Sequence, residues 1–234
     1  MAFTPPLSPL VFLAFLGTGA VLFLAGVAVV VLLLLRRFEL ARKILLGALV
    51  WAGAYAGVLL GFSLASSEKI LAVGEWKYFC EVDCHLAYSV VDVTTTKTFG
   101  PPSNRKTAQG MFYVITVKTW FDEKTISTHR AKDLPLRPNR RAVAVVDDQG
   151  RRYRPSIEGQ LALAQSERPS VPLTQSLRAG ESYSTVFVFD LPANSRHPRL
   201  LVATTDEIAW FVIGHESSFF HKKILFRLEP RTAT

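Results

Sequence analysis

Residues 9–35 read PLVFLAFLGTGAVLFLAGVAVVVLLLL and residues 44–67 read ILLGALVWAGAYAGVLLGFSLASS, with no charged side chain in either run. These two runs decide the fold class. At about 1.5 Å of rise per residue they would extend roughly 40 Å and 36 Å as helices, each longer than the ~30 Å hydrocarbon core of a bilayer. A helix is the expected form, because lipid offers no partner to a backbone N–H or C=O and a helix satisfies both internally. The sequence therefore predicts a transmembrane helical hairpin over residues 1–67, with spans near 9–35 and 44–66. A cleaved signal peptide is the competing assignment for the first run, but such peptides carry a basic head and an apolar core of about 7–15 residues. Here residues 1–6 read MAFTPP, without a basic side chain, and the apolar run is far longer. The first run is expected to stay in the protein.

Between the runs, residues 36–43 read RRFELARK, with Arg36, Arg37, Arg42 and Lys43 set against Glu39. The positive-inside rule places this segment in the cytoplasm and puts the N-terminus and everything after Ser67 on the other side. In a bacterium that predicts the inner (cytoplasmic) membrane, with the remaining chain in the periplasm or outside the cell. Within the second run Gly53, Gly57 and Gly61 recur every four residues beside Ala52, Ala54 and Ala56. A stripe without side-chain bulk favours close helix packing. Its mate is either the first span, where Gly17, Gly19 and Gly26 are available, or a helix of another transmembrane subunit.

Beyond a linker at 68–75 the texture is that of a water-facing domain over 76–230, followed by a tail at 231–234. The chain carries a net charge of +8, and removing the +3 of residues 36–43 leaves about +5 outside. Much of it lies in 130–154, where Arg137, Arg140, Arg141, Arg151 and Arg152 predict a basic surface able to meet anionic headgroups or an acidic partner. Nucleic acid is not an expected partner on that side of a membrane. About 160 residues suffice for one domain with a core, and period-two patterning dominates it. HLAYSVVDVTTT (85–96), MFYVITVKTWF (111–121), AVAVV (142–146) and TVFVF (185–189) read as strands, with 199–204 and 224–228 as further candidates. Turn residues separate them: Gly100-Pro101-Pro102, Asp148-Gln149-Gly150, Ala179-Gly180 and Pro192-Ala193-Asn194. Such spacing predicts an immunoglobulin-like antiparallel β-sandwich, with a short helix around 156–165.

Three segments carry a family resemblance: Asp147-Asp148-Gln149-Gly150-Arg151-Arg152-Tyr153, Leu177-Arg178-Ala179-Gly180-Glu181 and Val188-Phe189-Asp190-Leu191-Pro192. In their order over 111–203 the chain resembles the bacterial DUF4352, or telokin-like, immunoglobulin-like domains. The resemblance implies an extracytoplasmic, membrane-tethered and non-enzymatic module whose role is interaction. It supplies no catalytic residue.

The residues themselves point the same way. There is no Gly-x-Ser-x-Gly elbow, phosphate loop, dinucleotide fingerprint or paired-histidine zinc motif, so enzymatic activity is not expected. One constellation stands apart, Cys80-Glu81-Val82-Asp83-Cys84-His85, which holds both cysteines of the chain. In a regular strand their Cα atoms would be about 13 Å apart, beyond the ~7 Å reach of a disulfide, so a bridge or a shared metal needs a turn between them. A disulfide suits an oxidising compartment, separate buried thiols behave as small hydrophobes, and thiolates with imidazole suit copper or zinc. The spacing is similar to that of copper-handling Sco-type proteins and of the dinuclear copper loop of oxidase subunit II. It departs from the first in lacking a proline after Cys84 and from the second in its downstream histidines and methionines. His215 and His221, between the apolar segments 210–213 and 224–226, are expected in a surface loop. The sharper alternative folds His215 or His221 back beside Cys80 and Cys84, with Cys80, Cys84, His85 and His221 as the metal ligands.

Two functions follow as expectations. The first is an accessory subunit without a cofactor, seated in the bilayer among other transmembrane subunits and touching the outer domains of a membrane complex, with a respiratory or photosynthetic assembly as host. The second is an extracytoplasmic copper-binding or thiol redox protein acting through Cys80, Cys84 and a histidine.

Overall fold

The computed structural model describes residues 2–3, 9–81, 84–131, 133–166 and 170–230. The chain forms two compact units, one of residues 5–67 with 206–222, the other of residues 1–4, 68–205 and 223–234. The described chain opens with strand β1 (Ala2–Phe3), then helix α1 (Pro9–Leu34) and helix α2 (Phe38–Leu64). Both helices are long and apolar enough to cross a bilayer.

The turn between the helices is tighter than the sequence suggested. Arg36 takes a left-handed backbone (φ 55), and the Arg37 and Arg36 amides donate to Leu32 O and Leu33 O at 2.8 and 3.0 Å. This is the double closure by which a helix end satisfies its last carbonyls. The expected loop at 36–43 therefore shrinks, because α2 already starts at Phe38 rather than at 44. Charge ends the apolar run at Glu39, Arg42 and Lys43 but does not end the helix, for which Glu, Leu, Ala, Arg and Lys are strong formers.

The helices meet along a seam of residues three or four apart. Phe15, Thr18, Leu22, Ala25 and Val29 of α1 lose exposure opposite Ala48, Ala52, Tyr55, Leu59 and Ser63 of α2, and Trp51 Nε1 donates to Thr18 Oγ1 at 3.4 Å. Such spacing lines up one face of each helix. Away from the seam both helices expose large apolar groups, among them Leu13, Phe23, Leu24, Leu49, Val50 and Phe62.

The second unit is mainly β. Its further elements are β2 (Lys69–Leu71), β3 (Lys77–Cys80), β4 (His85–Phe99), β5 (Lys106–Asp122), β6 (Arg141–Val146), β7 (Arg152–Tyr153), α3 (Ile157–Ala164), β8 (Ser182–Leu191), β9 (Arg199–Thr204) and β10 (Ile224–Arg227). Among the described residues the strands form two five-stranded sheets, β1-β3-β4-β5-β8 and β2-β10-β9-β6-β7. They share one core, to which Phe79, Leu86, Tyr88, Ile115, Val117 and Phe189 contribute from the first sheet and Val145, Leu200, Val202 and Phe226 from the second. The alternation of β8 leads to burial on both faces. Phe189 and Leu191 enter the shared core, whereas Val186 and Val188 pack with Leu163 of α3 on the other side. Ser156 caps that helix by accepting from the Gly159 amide at 3.1 Å, as a serine at this position commonly does.

Two edges depart from the expected antiparallel pattern. β1 pairs with β3 and β2 pairs with β10 in parallel, so the segment assigned as a linker at 68–75 contributes a strand. A two- or three-residue strand has no period to read, and its pairing comes wholly from tertiary context. The tail at 231–234 lies outside the described residues.

Candidate functional site

On α2 the glycines are turned away from the seam. At 100° per residue, Gly53, Gly57 and Gly61 fall on the side of the helix opposite Ala48, Tyr55 and Leu59, and all three are exposed. A Cβ built on any of them meets nothing within 4 Å. The expectation that this stripe packs on the first span is thus corrected: α1 takes the face with larger side chains, and Gly17, Gly19 and Gly26 of α1 are equally open.

In the β unit the cysteines flank the tip of the β3–β4 hairpin. Cys80 pairs directly with His85, and the Glu81 amide donates to Cys84 O at 2.8 Å, so a turn does bring the two positions close. The structure draws no disulfide between them. Cys84 is 1% exposed, with its Sγ directed at Glu81 O at 3.7 Å, while Cys80 is half-buried. Burial holds the His85 imidazole below its ordinary range, with Asp122 pulling the other way. Among the described residues no group of three or more His, Cys, Asp or Glu is placed to hold a metal. His221 belongs to the helical unit, where its Nδ1 lies 2.7 Å from Lys222 O.

The arrangement makes a testable statement about reactivity. In the native protein, without reductant, a maleimide should label Cys80 and leave Cys84 unlabelled until denaturant is added, because a thiol sealed in a core is inert. Labelling of neither before reduction would show a bridge, and labelling only after chelation would show a bound metal.

Beside the hairpin tip lies a buried ionic cluster that the sequence placed on the surface. The Arg141 guanidinium pairs with the Glu81 carboxylate, each side chain only 3% exposed, and Asn139 Nδ2 donates to the other Glu81 oxygen. Arg141 also stacks over Phe79 at 4.3 Å and faces Tyr88 at 5.8 Å. Burial pushes the Glu81 carboxyl up, against the pull of Arg141 and Asn139, and pushes the Tyr88 phenol up to about 12. Nearby, the buried Lys77 ammonium donates to Val202 O at 2.6 Å and Ile224 O at 3.1 Å, bonding β3 to strands of the facing sheet.

The remaining arginines divide by their partners. Arg137, Arg140 and Arg152 are exposed, in keeping with a basic surface. Arg151 is drawn onto Asp147, donating through Nε at 2.6 Å, and the same carboxylate accepts from the Gln149 and Arg151 amides and the Tyr153 hydroxyl. Burial opposes ionisation of Asp147, but the hydrogen bonds from Arg151, Tyr153 and Gln149 together outweigh it and hold the carboxyl below its usual range. The acidic turn of Asp147-Asp148-Gln149-Gly150 is therefore built from its own side chains, with Gly150 at φ 76. Arg141 leaves the basic surface because it has a buried carboxylate to meet, and Arg151, still 38% exposed at its side chain, stays there with its charge balanced by Asp147, which charge counting along the chain does not reveal.

No protein-family model matches the chain, and no curated protein matches it. Among solved structures, MPT63, a secreted protein from Mycobacterium tuberculosis, is similar at 13% identity and a TM-score of 0.41, over 70% of this chain and 99% of that one. The yjhA protein from Bacillus subtilis is similar at 17% identity and 0.39, over 68% and 99%. A conserved hypothetical protein from Bacillus anthracis follows at 16% and 0.38, over 56% and 89%.

The sequence also leaves unremarked the aromatic groups of the 206–222 segment. Ile208, Trp210, Phe211, Phe219 and Phe220 are all exposed there. The signal was present as two aromatic pairs, WF at 210–211 and FF at 219–220, nine residues apart on the two sides of His215.

Proposed function

We propose that this chain is a membrane-anchored, non-enzymatic accessory subunit of the bacterial inner membrane. Its helix pair crosses the bilayer, and an immunoglobulin-like β-sandwich of the DUF4352 kind stands on the outer side. The observation that carries this reading is the distribution of apolar surface on the helices. Only one face of each is covered by the other, and the rest is apolar and exposed, which in water would be untenable and in lipid is the expected state. The hairpin supports an even number of crossings: α1 and α2 pack along one seam across the tight turn at Arg36 and Arg37, so the chain enters and leaves the helix pair at the same end, on one side. With Arg36, Arg37, Arg42 and Lys43 at the other end, that side is the outer one.

A partner helix is the occupant we assign to the open face of α2. Lipid tails pack against bulk as well as against glycine, whereas a helix gains close backbone contact only where bulk is missing. Replacing Gly57 with Ile tests this, because nothing within 4 Å of its Cβ belongs to this chain and the hairpin itself has room. Purified in mild detergent, the wild-type chain should bring down a partner in fixed stoichiometry, and Gly57→Ile should recover at least about tenfold less of it, equivalent to about 1.4 kcal/mol. The melting of the β unit should not change. Equal recovery from both proteins would mean that the glycine face meets only lipid and that the partner docks elsewhere, whereas a wild-type chain that brings down no partner would remove the subunit role.

A further inference from the structure

The segment joining β9 to β10 belongs to the same compact unit as the helices. Tyr55 donates its hydroxyl proton to Phe211 O at 2.7 Å, and the Lys222 amide donates to Ser66 Oγ at 2.8 Å. Tyr55 lies nine residues before Leu64 at the end of α2, about 14 Å along the helix. The segment thus turns back beside the outer third of α2, at a depth where the neighbours of a membrane-spanning helix are acyl chains.

Its backbone is suited to that place. Amides of Ala209, Val212, His215, Ser218 and His221 each donate three residues back, to Asp206, Ala209, Val212, His215 and Ser218. With the Ile208 and Ser217 amides bonded to Asp206 Oδ1 and His215 Nδ1, these successive turns satisfy part of the backbone without water, which lowers the cost of approaching the apolar zone. The side chains complete the argument. Trp210 and Phe211 both pack edge-on to Phe219, with ring centroids 5.9 and 5.5 Å apart, yet Trp210 stays 44% exposed, Phe211 50% and Phe220 72%. Phe220 is also held at φ 62, a left-handed backbone that bulky residues avoid. A strained residue presenting a bare phenyl ring is the kind of outlier from which function is sought.

Between this segment and the helices lies a cleft of about 360 Å³. Leu22, Ala56, Leu60, Phe211, Phe219 and Phe220 form its walls. The two polar groups that reach it are already engaged, Thr18 by Trp51 and Tyr55 by the Phe211 carbonyl. A single helical turn, about 5.4 Å long and about 10–12 Å across, occupies roughly 400–600 Å³ and exceeds the about 360 Å³ of this cleft, whereas a single unbranched hydrocarbon chain can lie in it. We propose that residues 206–222 insert into the outer leaflet and, with α1 and α2, form a binding site for one phospholipid acyl chain. The proposal rests on the membrane-spanning reading above.

Tryptophan quenching separates the two. The full-length chain is reconstituted into phosphatidylcholine–phosphatidylglycerol vesicles containing lipids brominated along the acyl chain, in versions that keep one tryptophan and carry Phe at the other three. Trp51 should be quenched if α2 spans the bilayer, Trp120 in β5 should not, and Trp210 should lose at least about half of its emission to bromines near the headgroup end. An unquenched Trp51 removes the spanning reading itself. A quenched Trp51 with an unquenched Trp210 removes the inserted segment alone, and so does Trp210 shielded by a co-purifying polypeptide. Native mass spectrometry after mild delipidation then tests the cleft: the wild-type chain should retain one phospholipid, while Ala56→Phe and Phe220→Ser should lose it with Trp51 quenching unchanged. Equal lipid retention in all three proteins overturns the acyl-chain site.

Discussion

Replacing Arg141 with Leu should destabilise the β unit by about 3–5 kcal/mol, the usual cost of removing one partner from a buried ion pair. For a domain of this size that is a fall in melting temperature on the order of 10 °C, readable as a thermal melt of the full chain in detergent. The cost arises chiefly from what remains: Glu81, 3% exposed at its side chain, would keep Asn139 as a donor and lose its counter-charge. Replacing both Glu81 and Arg141 with Leu should restore most of the loss, since a buried pair exchanged for apolar groups is often near neutral.

The same pair predicts a pH dependence of definite sign. Burial raises the Glu81 carboxyl in the folded state, and Arg141 opposes that rise. A group raised on folding contributes stability that is fully present below its unfolded pKa and is lost as pH rises through its folded one. Without Arg141 the rise is larger, so the Arg141→Leu penalty should be small near pH 4, where Glu81 is protonated, and largest near pH 7.5. A penalty below about 1 kcal/mol at neutral pH, in the range of exposed pairs, would show that water reaches the pair and that the cluster is not sealed.

What the sequence shows of this fold depends on how locally each feature is specified. The helices were legible because absence of charge over two long runs is a local property. Their rotation was not: the glycine stripe was visible, but which face α1 takes depends on how the larger groups at Phe15, Leu22, Tyr55 and Leu59 interlock. Strands β4, β5, β6, β8, β9 and β10 follow from period-two runs, and β3 does not. Its sequence Lys77-Tyr78-Phe79-Cys80 is buried from its first residue, because the Lys77 ammonium finds two backbone carbonyls of the facing sheet. A buried lysine breaks the pattern by which strands are read, and its compensation lies more than a hundred residues away. Arg141 was read as a surface charge for the same reason, its carboxylate being 60 residues away. Residues 214–223 read as a surface loop because their polar residues are local, whereas the helices grouped with 206–222 are about 150 residues upstream in the chain.

Gly110 is the other position where one added atom should have a large effect. It lies inside β5, beside Met111, which pairs with Leu191 of β8. The Gln109 and Gly110 amides donate to the Asp190 carboxylate at 2.7 and 2.9 Å, drawing the two strands together at that point. A Cβ on Gly110 would fall on the Leu191 carbonyl oxygen, 2.6 Å from its carbon and 2.8 Å from Pro192 Cα. All of these are backbone atoms, so no side chain can swing aside, and the ends of β5 and β8 would have to part and release the Asp190 hydrogen bonds. Overpacking commonly costs about 1–3 kcal/mol and occasionally more, and here Gly110→Ala should reach about 3 kcal/mol or prevent folding. Gly150→Ala is the informative contrast. Gly150 sits at φ 76 with nothing within 4 Å of its Cβ, so alanine there meets only the left-handed backbone penalty of roughly 1–2 kcal/mol. Melts of the two variants side by side separate steric exclusion from dihedral preference. Equal, small losses would mean that β5 and β8 do not approach so closely at Gly110, and that its glycine reflects no more than the end of a readable strand.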